Sequence, residues 1–159
     1  MYSYVSSGAL NGIESYLAMV EVDASTGLPG FEMVGMLNAE VKEAKERVRV
    51  ALKNTGISMP PLRITVNISP ANLRKSGTAY DLPIAIALLI AIGEIPQANV
   101  EDIVVVGELG LNGEVKFTNG ILPMVMQAKQ EGKKVCLVPK ENALEGAVVD
   151  GIDVIGVET

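Results

Sequence analysis

The chain contains no histidine and no tryptophan, a single cysteine, and only two Phe and four Tyr among its 159 residues. Without histidine, histidine-based triads and histidine-ligated metal sites are excluded. A lone cysteine closes no internal disulfide, and Cys136, inside the apolar run Val135–Val138, reads as a buried strand thiol. Positive charge is also short: 13 Lys and Arg stand against 19 Asp and Glu, a formal charge of −6. That balance argues against a dedicated nucleic-acid surface, while leaving room for a local patch at Arg63, Arg74 and Lys75. Nucleotide loops of the G-x-x-x-x-G-K-S/T and G-x-G-x-x-G types are absent, and no acidic cluster has diagnostic magnesium spacing. The greasiest stretch, Leu82–Ile92, is broken by Pro83 and falls short of the ~20 residues that cross a bilayer. The opening residues lack the basic start and apolar core of a secretion signal. The expected address is the cytoplasm, with no membrane partner.

What the chain has is aliphatic residues, at 48% hydrophobic overall. It is long enough to fold as one domain, burying roughly 70% of its extended surface. Strands are predicted at Tyr2–Leu10 and Tyr16–Val22, separated by an Asn11-Gly12 turn, and at Phe31–Gly35. Between Ala39 and Asn54 the period changes. Val41, Ala44, Val48, Ala51 and Leu52 form a helical stripe, and Glu43 can face Arg47 one turn on. Gly56 and Pro60-Pro61 end that helix. A strand is predicted next at Arg63–Ile68. Asp81 is expected to cap the next helix, with Pro83 in its first turn and Ile84–Ile92 apolar on nearly every face. A strand at Ile103–Glu108 leads through the Asn112-Gly113 hairpin signal to Val115–Phe117. A helix at Leu122–Gln130, a strand at Lys134–Val138, a short helix at Ala143–Val149 and a strand at Ile152–Val157 complete the order. The sum, about eight strands and three or four helices, predicts an α+β arrangement of sheet against helices, with a Rossmann fold disfavoured.

The stretch Arg63–Pro83 is the most informative, because a strand breaks there into a tight polar loop that runs directly into an apolar helix. Arg74-Lys75-Ser76-Gly77-Thr78 offers cations and hydroxyls near a helix N-terminus. Candidate contacts for DNA or a partner are therefore Arg63, Arg74, Lys75, Ser76 and Thr78. Asp81, Glu108 and Asn119 are the candidates for holding the loops together. A Ser76–Lys75 nucleophile is disfavoured, since adjacent loop residues rarely bring hydroxyl and amine to ~3 Å and a working base needs a lowered pKa.

Several segments together resemble the amino-terminal domain of the magnesium-chelatase-like AAA+ proteins, the ComM and YifB group. They are Gly27-Leu28-Pro29 through Gly35, Val41 through Lys53, Arg63 through Pro83, Gly107-Glu108-Leu109 through Val115, Gly120 through Pro123, and Val138 through Asn142. The resemblance implies a ribosomal protein S5 domain 2-like fold, shared with the proteolytic domain of Lon protease. It also implies that residues 1–159 form one amino-terminal domain of a longer protein. ATP and Mg2+ would serve an AAA+ module beyond it, and this fragment would need no cofactor. Against the Lon pattern, Ala79 stands at the nucleophile position and Leu122 at the lysine position. A methyl and an isobutyl group supply neither attack nor proton transfer, so the fragment is expected to be non-catalytic. Expected partners are its own AAA+ module and neighbouring subunits, with DNA engaged by the full-length protein and weakly or not at all by the fragment. The implied role is assembly or DNA and partner coupling in a branch-migration motor. The alternatives are a peptidase or hydrolase with an unrecognised site, or a purely structural oligomerisation domain.

Overall fold

A computed structural model describes residues 1–11 and 14–159. The strands are β1 (Tyr2–Asn11), β2 (Glu14–Ser25), β3 (Gly30–Val34), β4 (Arg63–Ser69), β5 (Ile103–Val105), β6 (Glu108–Leu109), β7 (Val115–Lys116), β8 (Val135–Pro139) and β9 (Asp153–Val157). The helices are α1 (Ala39–Lys42), α2 (Ala44–Asn54), α3 (Asp81–Ala91), α4 (Ile121–Gln130) and α5 (Ala143–Gly146), with 3-10 turns at Gln97–Val100 and Lys140–Asn142. Seven strands form one sheet in the order β3-β4-β2-β1-β5-β8-β9, and β6 and β7 form a separate hairpin. This is the expected mixed α+β arrangement, a sheet packed against helices.

The sheet is more parallel than the sequence suggests. Only β2 runs against the rest, antiparallel to both β1 and β4. The pairs β3–β4, β1–β5, β5–β8 and β8–β9 are all parallel. The carboxyl ends of β1, β3, β4, β5 and β8 therefore gather at one end of the sheet, where ligand sites of parallel sheets usually form. β2 is longer than its own alternation predicts, because pairing with β4 as far as Ser25–Arg63 extends it. The Asn11-Gly12 turn falls partly outside the described residues.

Alternation along the central strands sets two layers. Val20, Val22, Ile64, Val66 and Ile68 face α2 and α3. Val104, Cys136 and Val138 pack with Ile121, Met124 and Val125 of α4 on the other side. Helix α3 buries nine of its eleven residues, so it lies sandwiched as its uniform apolarity requires. Ile84 and Leu88 are 0% and 1% exposed; removing either side chain from water stabilises the fold by roughly 1.5–3 kcal/mol.

Three local departures from the expected elements surround the loop between β4 and α3. The predicted helix over Ala39–Asn54 is interrupted at Glu43. The strand predicted at Ile103–Glu108 ends at Val105, and Gly107 turns the chain toward α3. Asp81 does not cap α3: the N-cap position is Tyr80, and the Asp81 carboxylate turns inward instead.

Candidate functional site

The loop joining β4 to α3 is bound to its surroundings at five successive places. Arg74 Nη1 donates to Asn38 Oδ1 at 2.8 Å. Lys75 Nζ donates to the carbonyls of Gly35, at 2.6 Å, and of Pro70. The Gly77 N–H reaches Glu40 Oε1 at 3.0 Å, which holds that carboxyl below the usual range. Thr78 Oγ1 donates to Glu108 Oε2 at 2.9 Å. Finally, Arg47 grips Asp81 bidentately, Nε to Oδ2 at 2.7 Å and Nη2 to Oδ1 at 3.0 Å.

Lys75 corrects an expectation. It is not a surface contact: the side chain is 1% exposed and its ammonium is capped by carbonyls rather than by a carboxylate. Burial pushes its pKa down. Its backbone completes the same clamp, with the Lys75 N–H donating to the Met36 carbonyl and the Asn38 N–H donating to that of Lys75, both at 2.9 Å. Met36 sits at φ 55, in the left-handed region, which costs a residue with a Cβ roughly 1–2 kcal/mol. Lys75 therefore holds the chain around a strained turn.

Asp81 and Arg47 form the second anchor. Asp81 is fully buried, and its Oδ2 also accepts the Leu109 N–H at 3.0 Å. Arg47 additionally donates to the Glu40 carbonyl at 2.7 Å, bridging the interruption between α1 and α2. Burial pushes Asp81 up to about 6, with Arg47 and the Leu109 amide opposing the shift. Desolvation thus outweighs the ion pair, as is common for buried charges. The helical spacing pairs Arg47 with Glu43; that contact exists at 3.7 Å, but the bidentate grip belongs to Asp81.

Gly107-Glu108-Leu109 closes the loop from the other side. A Cβ on Gly107 would lie 2.8 Å from Val115 Cγ1 and 3.3 Å from Leu82 Cδ2. The bare backbone can therefore donate to the Ala79 carbonyl at 2.9 Å and accept from the Leu82 N–H at 3.0 Å. Glu108 accepts from Thr78 Oγ1, and Asp81 accepts from the Leu109 N–H. Asn119 is exposed, and the hydrogen bonds at its loop go to Asn142 instead. Asn142 is fully buried, accepting from the Thr118 N–H at 3.0 Å and donating to the Thr118 carbonyl at 2.8 Å.

Arg63 does not join Arg74. Arg63 opens β4 and Arg74 lies in the loop past its other end; the seven residues of the strand span about 20 Å, so the expected basic patch does not form. Ser76 and Arg74 are exposed, and Thr78 is half-buried. Ala79 lines a cleft of about 290 Å³ together with Gly8–Leu10, Ser76–Thr78, Glu108, Phe117–Asn119 and Met124. Leu122 stands in the first turn of α4, half-buried. Among the described residues, no group of three or more Cys, Asp or Glu is placed to hold a metal ion. No described helix is long and apolar enough to cross a membrane.

Known proteins share this chain's pattern. It is 41% identical over 153 residues to an uncharacterized protein of Mycobacterium tuberculosis, covering 96% of this chain and 30% of that protein. Competence protein ComM of Haemophilus influenzae is 40% identical over 145 residues, covering 91% of this chain and 28% of its own length. Lon protease 2 of Bacillus subtilis is 30% identical over 166 residues, with coverages of 97% and 29%. The chain thus spans less than a third of the length of these relatives. The family model for subunit ChlI of Mg-chelatase matches residues 20–142, and the chain belongs to that family.

Proposed function

We propose that this chain is a non-catalytic accessory domain of a magnesium-chelatase-like AAA+ protein, of ribosomal protein S5 domain 2-like fold, serving assembly or the coupling of DNA and partners to an ATPase module. The observation that carries this reading is the loop between β4 and α3. Its five attachments hold it as a rigid scaffold around Ala79, whose methyl lines the cleft where a nucleophile would have to stand. Leu122 brings no amine to that cleft. The similarity to ComM and to the YifB proteins supports the assignment to an ATPase assembly. ATP and Mg2+ would bind the ATPase module of the longer protein. Of the loop's candidate contacts, Arg74 and Ser76 are exposed on the outer side of the scaffold and available to DNA or a partner.

The test is DNA-stimulated ATP hydrolysis by the full-length protein, compared with a form lacking residues 1–159 at matched oligomer fraction. Loss of stimulation with basal hydrolysis intact is the expected result. Unchanged stimulation would sink the coupling role and leave a structural one, read out by a change in oligomeric state on the same deletion. Labelling by an activated-serine probe would instead revive the peptidase alternative.

A further inference from the structure

Strand β1 has one neighbour along its whole length and a second along only part of it. β2 pairs with it from Tyr2 to Asn11, whereas β5 meets it at Ser6, opposite Val104. Backbone groups of a strand address alternate sides, so one bond fixes which side each residue faces. The Tyr4 N–H donates to Gln97 Oε1 at 3.0 Å, and the Tyr4 carbonyl accepts from Gln97 Nε2 at 2.9 Å. Both bonds lie on the side away from β2. Ser6, Gly8 and Leu10 therefore point their amide groups the same way.

Gln97 closes this edge at Tyr4, standing in for a strand, and β5 closes it at Ser6. The ladder then stops. The Gly107 N–H that would meet the Gly8 carbonyl is given to the Ala79 carbonyl instead. The Gly8 carbonyl and both backbone groups of Leu10 have no strand opposite them among the described residues. Gly8 is nevertheless buried, and a buried polar backbone group left unpaired costs as much as a lost hydrogen bond. The same cleft is lined by a buried hydroxyl without a hydrogen-bond partner among the described residues, Thr118 Oγ1.

The rest of the cleft says what would complete it. Its walls carry the Glu108 carboxylate and no lysine or arginine, Met124 contributes an apolar surface, and Phe117 is 49% exposed. An anion is disfavoured there, and so is a nucleic-acid phosphate. We propose that the cleft binds an extended peptide segment, added as a short strand to the Gly8–Leu10 edge, with a basic side chain toward Glu108. Strand addition of this kind takes its affinity from main-chain hydrogen bonds and its selectivity from side-chain pockets. The inference deepens the partner-coupling role and rests on it.

The test is an amide NMR titration of the full chain with two synthetic heptapeptides, Val-Ser-Val-Lys-Val-Ser-Val and its Glu-centred twin. Each is also made with alternate backbone nitrogens methylated, in either frame. The Lys peptide is expected to shift the amides of Leu10, Ala79, Thr118 and Asn119 and to saturate. The Glu twin should bind up to about fivefold more weakly, and methylation in one frame should weaken binding by about fivefold for each hydrogen bond removed. Phe117→Ala, a change at an exposed rim, should weaken binding while leaving the rest of the spectrum in place. No shift at millimolar peptide, shifts confined to the free edges of β3 or β9, or binding indifferent to methylation in both frames would overturn the proposal. If it fails while DNA stimulation still depends on residues 1–159, the accessory reading stands without this cleft. Binding here without that dependence would uphold the cleft and overturn the coupling.

Discussion

Arg74 and Lys75 are neighbours in sequence and opposites in setting. Arg74 lies in solvent and makes one hydrogen bond to Asn38; Lys75 is buried with its charge among carbonyls. The contrast runs along the whole loop, whose inner row is Lys75 and Asp81 and whose outer row is Arg74, Ser76 and Gly77. The inner row is buried in the structure; the outer row makes single bonds to Asn38 and Glu40 and leaves the Arg74 and Ser76 side chains in solvent, where they can meet something else. Replacing Arg74 and Lys75 together by Ala would therefore mix a folding effect with a surface effect, and the two have to be changed separately.

The largest effect should come from Arg47→Ala. It leaves the Asp81 carboxylate buried without its cation, and breaking a buried pair in this way costs about 3–5 kcal/mol. Chemical denaturation would read it as a lowered midpoint with unchanged slope. Lys75→Met comes next, because the Gly35 and Pro70 carbonyls lose their donor, at about 1–3 kcal/mol for each group left unsatisfied. A loss confined to Arg74→Ala would reverse the comparison.

The third prediction concerns pH. Asp81 titrates at about 6 in the fold against 3.8 for the free side chain, so the folded state holds this proton more tightly. Its contribution to stability is present below about pH 4, is lost as pH rises through 6, and amounts to roughly 3 kcal/mol. Asp81→Asn should flatten that slope, and a carboxyl NMR titration of Asp81 with a midpoint near 4 would contradict it. Smaller still is Thr78→Val, which removes one neutral-to-charged hydrogen bond to Glu108 and should cost about 1.5–3 kcal/mol at most. Arg74→Ala comes last: an unmoved melting transition, with any change appearing only in DNA or partner coupling of the full-length protein.

The helices and strands are largely legible in the sequence because their periods are clean. The stripe Val41–Leu52 and the uniform apolarity of Leu82–Ile92 each predict their own burial. The same uniformity holds the signal for Asp81: a helix with no polar face draws its first carboxylate inside, where it needs a cation. The partner is less accessible, because Arg47 lies 34 residues earlier and also has Glu43 within one turn. Nothing local marks Lys75 as different from Arg74, since its burial depends on two carbonyls brought together by β3 and the start of the loop. Asn142 is similarly hidden, as a buried amide looks like any polar residue after a strand. The near-parallel sheet is not legible because the two short strands β5 and β9 carry little alternation of their own, and their direction is set by the helices that return between them.

The carbonyl seat of Lys75 has a consequence for chemical reactivity. Of the chain's lysines, it is the one removed from solvent, so an amine acylating reagent can reach it only when the loop opens. Burial is what lowers its pKa in the closed loop, so on opening the amine regains its solvation and reacts like any exposed lysine. The rate at which Lys75 is modified, set against exposed Lys42 or Lys45 on the same molecule, then becomes a clock for local opening of the scaffold. Slowing of that clock when a partner is added would report that the bound state tightens this loop, without any label added to the chain.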